Sequence, residues 1–75
     1  MELKIYGADF CNPCKQAKKY LDRIGVQYTY IDLKENPKAG IRSVPTFILE
    51  TDGVEHGRLV GFDPTQLNQF ISNLD

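Results

Sequence analysis

The sequence has no tryptophan, one histidine and only two cysteines, and its nine Lys and Arg residues are nearly balanced by ten Asp and Glu. Each shortage excludes something. A net charge of −1, with both signs mixed along the chain, gives no electrostatic footprint for nucleic acid or an anionic membrane surface. No apolar run approaches the roughly 20 residues that cross a bilayer. Structural zinc takes four ligands, and beyond Cys11 and Cys14 only His56 is a good candidate. A metal or cluster would therefore have to be shared between subunits, and no metal or other cofactor is expected. Met1-Glu2-Leu3-Lys4 runs straight into a strand-like stretch without an apolar leader. The chain thus reads as cytoplasmic, a setting in which a lasting structural disulfide is unusual.

What is present is an ordinary globular composition, 41% hydrophobic and 25% charged in 75 residues, read as one domain over residues 1–75. Residues 3–6 read as a strand and 7–10 as a loop. From Asn12 to Ile24, Cys14, Ala17, Leu21 and Ile24 recur at helical spacing on one face. Pro13 is tolerated in the first turn, and Gly25 is a natural stop. Residues 26–31 alternate and are rich in β-branched and aromatic types, which predicts a second strand. Residues 32–43 are polar and broken by Pro37 and Gly40, giving a loop with at most a turn or two of helix. Residues 46–50 and 54–60 read as a hairpin around Thr51-Asp52-Gly53. A last amphipathic helix starts at Asp63-Pro64, with Gln66 completing a capping-box-like start and Leu67, Phe70, Ile71 and Leu74 on one face. The expectation is α/β: a mixed four-stranded sheet, its first two strands parallel through a right-handed crossover and its last two antiparallel.

Cys11-Asn12-Pro13-Cys14 falls between the first strand and the first helix. That context gives the C-x-x-C spacing its meaning. Cys11 would sit at the helix N-terminus, where free N–H groups and the helix dipole stabilise a thiolate. It is the expected nucleophile. Cys14, one turn inside, is the expected resolving thiol. Lys15 adds positive charge, and Asn12 and Pro13 lie between the sulfurs. As a structural link the pair would achieve little, since closing so short a loop restrains the unfolded chain by only about 2 kcal/mol.

With these residues assembled, the chain resembles the thioredoxin superfamily over nearly its whole length. Ile5-Tyr6 running to Phe10-Cys11 resembles the glutaredoxin first strand and active-site loop. Cys11-Asn12-Pro13-Cys14-Lys15 is similar to the thioredoxin motif, and Ser43-Val44-Pro45-Thr46 to the superfamily's cis-proline motif. Val60-Gly61-Phe62-Asp63-Pro64 resembles the late turn of NrdH-redoxins, with Asp63 where those have Arg. The segment 35–43 is about one helical turn shorter than the thioredoxin segment it resembles. The resemblance therefore implies a thioredoxin fold whose middle helix is shortened or absent, leaving one sheet face thinly covered.

It also implies a cis Pro45 lying against the cysteines, with Val44 offering its backbone to an extended substrate. Phe10, Pro13, Val44, Pro45 and Phe62 would form an apolar rim, with Gly61 in the turn beside it. The buried Asp of thioredoxins is replaced by Ile5. Asp9 is a weak substitute for it, expected on the exposed loop. Tyr6 is expected in the core, Tyr28 and Tyr30 in sheet packing, and Lys15, Lys18 and Lys19 on a solvated helix face. The implied activity is reduction of protein disulfides by a monomer recharged by a thioredoxin reductase-like enzyme, with ribonucleotide reductase a candidate acceptor. Glutathione-binding glutaredoxins carry Lys where this chain has Ala8, though Lys38 or Arg42 offers a substitute charge. A glutathione-dependent glutaredoxin and a non-catalytic binding module remain the alternative readings.

Overall fold

The computed structural model describes residues 1–72. The expected helix position Leu74 lies outside the described residues. The element order is β1 (Glu2–Gly7), α1 (Asn12–Ile24), β2 (Thr29–Asp32), β3 (Thr46–Thr51), β4 (Val54–Val60) and α2 (Pro64–Ile71). The strands form one mixed sheet in the order β2-β1-β3-β4. β1 and β2 are parallel, while β3 is antiparallel to both β1 and β4. Two residues, Asp52 (φ 52) and Gly53 (φ 82), join β3 to β4. Positive φ at both central positions is what a two-residue hairpin needs to match the strand twist.

The bounds of α1 coincide with the expected ones, but its last turn does not. Ile24, predicted on the core face, is 43% exposed. The reason is how the helix stops. Gly25 adopts the left-handed conformation, its N–H bonds to the Asp22 carbonyl, and the Val26 N–H returns to the Leu21 carbonyl. This double closure folds the chain back. Val26 packs against the core cluster that contains Leu21, while Ile24 faces outward. The same closure delays β2, which begins at Thr29, opposite Lys4, rather than at residue 26. At the other end of the chain, the Asp63 carboxylate accepts from the Thr65 and Gln66 N–H groups and caps α2.

Both helices cover the same face of the sheet. Leu3 and Ile5 of β1, Phe47 and Leu49 of β3, Ala17 and Leu21 of α1, and Leu67 and Ile71 of α2 form one buried cluster. Each side chain buried as fully as Phe47 or Leu21 contributes about 1.5–3 kcal/mol. The Tyr20 hydroxyl also donates to the Asn68 side-chain oxygen at 2.7 Å, which ties α1 to α2.

No helix forms between Leu33 and Pro45, so the opposite face is covered differently. It carries Tyr6 and Lys4 from β1, Thr46, Ile48 and Glu50 from β3, and Arg58 from β4, as the strand registers place them. Ile48 is nevertheless fully buried. Lys4 Nζ lies 2.9 Å from the Glu50 carboxylate, and the Lys38 ammonium lies 5.6 Å from the Tyr6 ring centre. Arg58 donates to Glu55 at 3.0 Å and to the Gly40 carbonyl at 3.3 Å. Residues three apart in a regular strand point to opposite faces. Glu55 and Arg58 share a face because the register shifts at Leu49/Glu50, leaving His56 as an extra residue.

The hydrogen bond to Glu50 holds the Lys4 pKa above its usual value. A raised lysine pKa adds stability that is complete below the unfolded value and disappears as pH climbs through the folded one. The parent chain should therefore lose stability above about pH 10.4 more steeply than Lys4→Met, and urea unfolding at a series of alkaline pH values measures the difference. Parallel curves would show that the pair is energetically silent.

Candidate active site

β1 ends at Gly7, and a tight turn closed by the Cys11 N–H on the Ala8 carbonyl (3.1 Å) leads directly into α1. The turn throws Phe10 outward to 85% exposure and leaves Asp9 exposed. Cys11 is the N-cap of α1, in extended conformation (φ −88, ψ 105). Its sulfur accepts the Cys14 N–H at 3.1 Å, and its carbonyl accepts the Lys15 N–H at 3.3 Å. Proline at the helix start costs no bond, because an N–H in the first turn has no carbonyl to meet. Cys11 and Cys14 form a disulfide, their Cα atoms 5.2 Å apart. Cys14 is fully buried, whereas Cys11 keeps 5% exposure. Asn12 and Pro13 between them are exposed.

The Val44–Pro45 bond is cis. The Pro45 carbonyl accepts the Gly61 N–H at 2.9 Å, which joins the start of β3 to the turn after β4. The Thr46 hydroxyl donates to the Ser43 carbonyl at 2.8 Å and braces the same bend. Because Tyr6 pairs with Thr46, Pro45 stands level with Gly7, at the sheet end that meets the cysteines. Val44 is half-buried, and among the described residues its backbone N–H and carbonyl make no hydrogen bond outside helices and strands.

A family model for glutaredoxin matches residues 3–51. The chain belongs to the glutaredoxin family, within the thioredoxin superfamily. The SPbeta prophage-derived thioredoxin-like protein YosR of Bacillus subtilis is 36% identical over 69 residues, covering 85% of this chain and 86% of that protein. A Staphylococcus aureus thioredoxin is 30% identical over 76 residues, covering 88% of this chain and 73% of its own length. Among solved structures, Plasmodium falciparum thioredoxin superposes with a TM-score of 0.83 over 99% of this chain and 85% of its own, at 23% identity, a likeness of fold. With a C-x-x-C disulfide on this fold, the redoxin is a thiol–disulfide oxidoreductase.

Other residues in this redoxin depart from the expectations. Phe62 is half-buried rather than a free rim residue, its ring 5.9 Å from that of Tyr20 and packed on the core. Lys18 is not simply solvated: its ammonium lies 4.1 Å from the Tyr30 ring centre. Tyr28 packs as expected, with its hydroxyl donating to Asp22 at 3.0 Å. Burial, followed by this bond to Asp22, raises its pKa. Tyr6 is buried, His56 is exposed on β4, and Ile5 is fully buried among apolar neighbours.

Two site residues escaped the sequence reading, Gly7 and Tyr30. A Cβ on Gly7 would lie 2.6 Å from the Tyr30 hydroxyl and 2.9 Å from the Cys14 sulfur, too close for either. Only a residue without a side chain lets β1, β2 and the first turn of α1 converge. A Gly-Ala pair before a cysteine loop carries no signal of this, since the crowding comes from two distant elements. Gly7→Ala should cost about 1–3 kcal/mol, read from the shift in urea midpoint of the oxidised chain. An unchanged midpoint would mean that the cysteine turn yields freely.

Proposed function

We propose that this redoxin reduces disulfides in other proteins, with Cys11 as nucleophile and Cys14 as resolving thiol, and that it is recharged as thioredoxins are rather than by glutathione. The observation that carries the reading is the Cys11 sulfur at the helix N-cap, accepting a backbone N–H from within the first turn. That N–H and the helix dipole favour a negative sulfur there. Cys11 keeps a little exposure, 5%, beside a fully buried Cys14, which favours Cys11 as the residue that meets a large partner.

The chemistry then runs in two exchanges. The Cys11 thiolate attacks the substrate disulfide; one substrate sulfur leaves as a thiolate and the other is joined to Cys11. The Cys14 thiolate attacks the Cys11 sulfur, closing the intramolecular disulfide and releasing the second substrate sulfur. Two electrons pass from the dithiol to the substrate. The unpaired Val44 backbone suits an extended substrate segment laid beside the cis-proline bend. Exposed Phe10 and Pro13, with half-buried Val44, offer an apolar rim for it; Pro45 itself is buried, and Gly61 holds its carbonyl.

Recharging by a thioredoxin reductase-like enzyme is supported by Ala8, which stands where glutathione-binding glutaredoxins carry a lysine, and by the likeness to thioredoxins. Lys38, a candidate replacement, is engaged over Tyr6. A monomer acting in the cytoplasm, with ribonucleotide reductase among its acceptors, fits this reading.

The test is NADPH consumption with a protein disulfide substrate under two electron supplies. Turnover with thioredoxin reductase and little with glutathione plus glutathione reductase is the expected outcome, and the reverse would make the chain a glutathione-dependent glutaredoxin. Cys14→Ser should trap substrate proteins as mixed disulfides on gels without reductant, whereas Cys11→Ser should trap none. Equal trapping by both would overturn the assigned roles.

A further inference from the structure

Resolution requires Cys14 as a thiolate, yet Cys14 is fully buried, and burial disfavours the charged form. Its β1 neighbours offer no help: Ile5 is apolar, and Gly7 has no side chain. The polar side chain that reaches this spot comes from β2. The Tyr30 hydroxyl and the Cys14 sulfur converge on one point, the place a Gly7 Cβ would occupy, at 2.6 and 2.9 Å from it. With the disulfide closed, that hydroxyl donates to the Ala8 carbonyl at 3.5 Å, a long bond that is easily given up.

We propose that Tyr30 is a positioning residue for the second exchange, its hydroxyl turning from the Ala8 carbonyl to the Cys14 sulfur when that sulfur becomes a thiolate. A hydrogen bond to the charged form lowers a thiol pKa, and bonds to ionised groups are the stronger kind. The groups facing Tyr30 are Lys18 from α1, whose ammonium lies over its ring, Asp9 from the turn after β1, and Asp32 from β2 itself. Burial and then the two carboxylates hold the Tyr30 pKa above its usual value, so the hydroxyl stays protonated and acts as donor, not base. The proton that Cys14 releases ends in bulk solvent. Its sulfur then bonds to Cys11 as the Cys11–substrate bond breaks. The substrate sulfur leaves with the electron pair and is protonated by solvent. Tyr30 neither gains nor loses a proton.

The proposal rests on the order Cys11 then Cys14, and the experiment separates the two. The reduced full-length chain is mixed with excess Ellman's reagent: attack by Cys11 releases one coloured thiolate, and resolution by Cys14 releases a second. Tyr30→Phe keeps the ring and its contact with Lys18. Its first phase should match the parent, while its second should slow roughly tenfold near neutral pH, the inflection of its pH profile moving up by about one unit. As a direct reading, thiolate absorbance in the Cys11→Ser background should show a higher Cys14 pKa once Tyr30→Phe is added. A second phase and a Cys14 titration unchanged by Tyr30→Phe would overturn the role of Tyr30 alone. Failure of Cys14→Ser to give the first phase would overturn the order of the cysteines and this proposal with it.

Discussion

The first turn of α1 lies against the end of β1 with no side chain between them, and the rest of the site follows from that approach. Gly7 makes it sterically available. Because β1 is the strand that pairs with both β2 and β3, whatever meets its last residue is set at once against the Tyr30 hydroxyl reaching over from β2 and the level of Pro45 on the other side. The cysteines thus sit where three strands and a helix terminus converge. The apolar cluster beneath, in which Phe47 and Leu21 are fully buried, holds α1 on that line. Core packing and sulfur placement are consequently one problem: a shift of α1 along the sheet would move the N-cap and the buried thiol together.

The two faces of the sheet are built on different principles. One is covered by helices and is apolar. The other carries no helix among the described residues; there Lys4 pairs with Glu50, Arg58 with Glu55 and the Gly40 carbonyl, and the Lys38 ammonium lies by the Tyr6 ring. Lysine and arginine are suited to such a face, since their methylenes bury apolar surface while the charge stays wet. An exposed pair such as Arg58–Glu55 adds little stability, whereas the buried Glu50 carboxylate depends on Lys4 for its partner.

Much of this was legible in the sequence because it is local. Helical spacing bounded α1, Asp-Gly marked the hairpin, and Asp63-Pro64 marked the start of α2. The cysteine pair could be placed at a helix N-terminus by counting, and Pro45 by its resemblance to a known motif. What was not legible arises between elements. Ile24 fits the helical stripe but is turned out by the bonds that close the helix. Lys18 looks like one more solvated lysine until Tyr30 is brought beneath it. Tyr30 itself alternates correctly for a strand, and nothing in its neighbours foretells that its hydroxyl and the Cys14 sulfur both crowd the place a Gly7 Cβ would take. Periodicity assigns a residue to a face, whereas the identity of what it faces depends on the register of strands far apart in sequence.

The extra residue His56 has a consequence beyond bringing Glu55 and Arg58 together. β4 is an outer strand of the sheet, and its free backbone groups form a ladder on which another extended chain could be templated. A bulge interrupts the even spacing of that ladder, and flanking charges make the remaining segments poor seeds for edge-to-edge growth. The opposite border, β2, is only four residues long. In a chain this small, where little else shields the sheet, resistance to fibrous self-association is written into the irregularity of one margin and the brevity of the other.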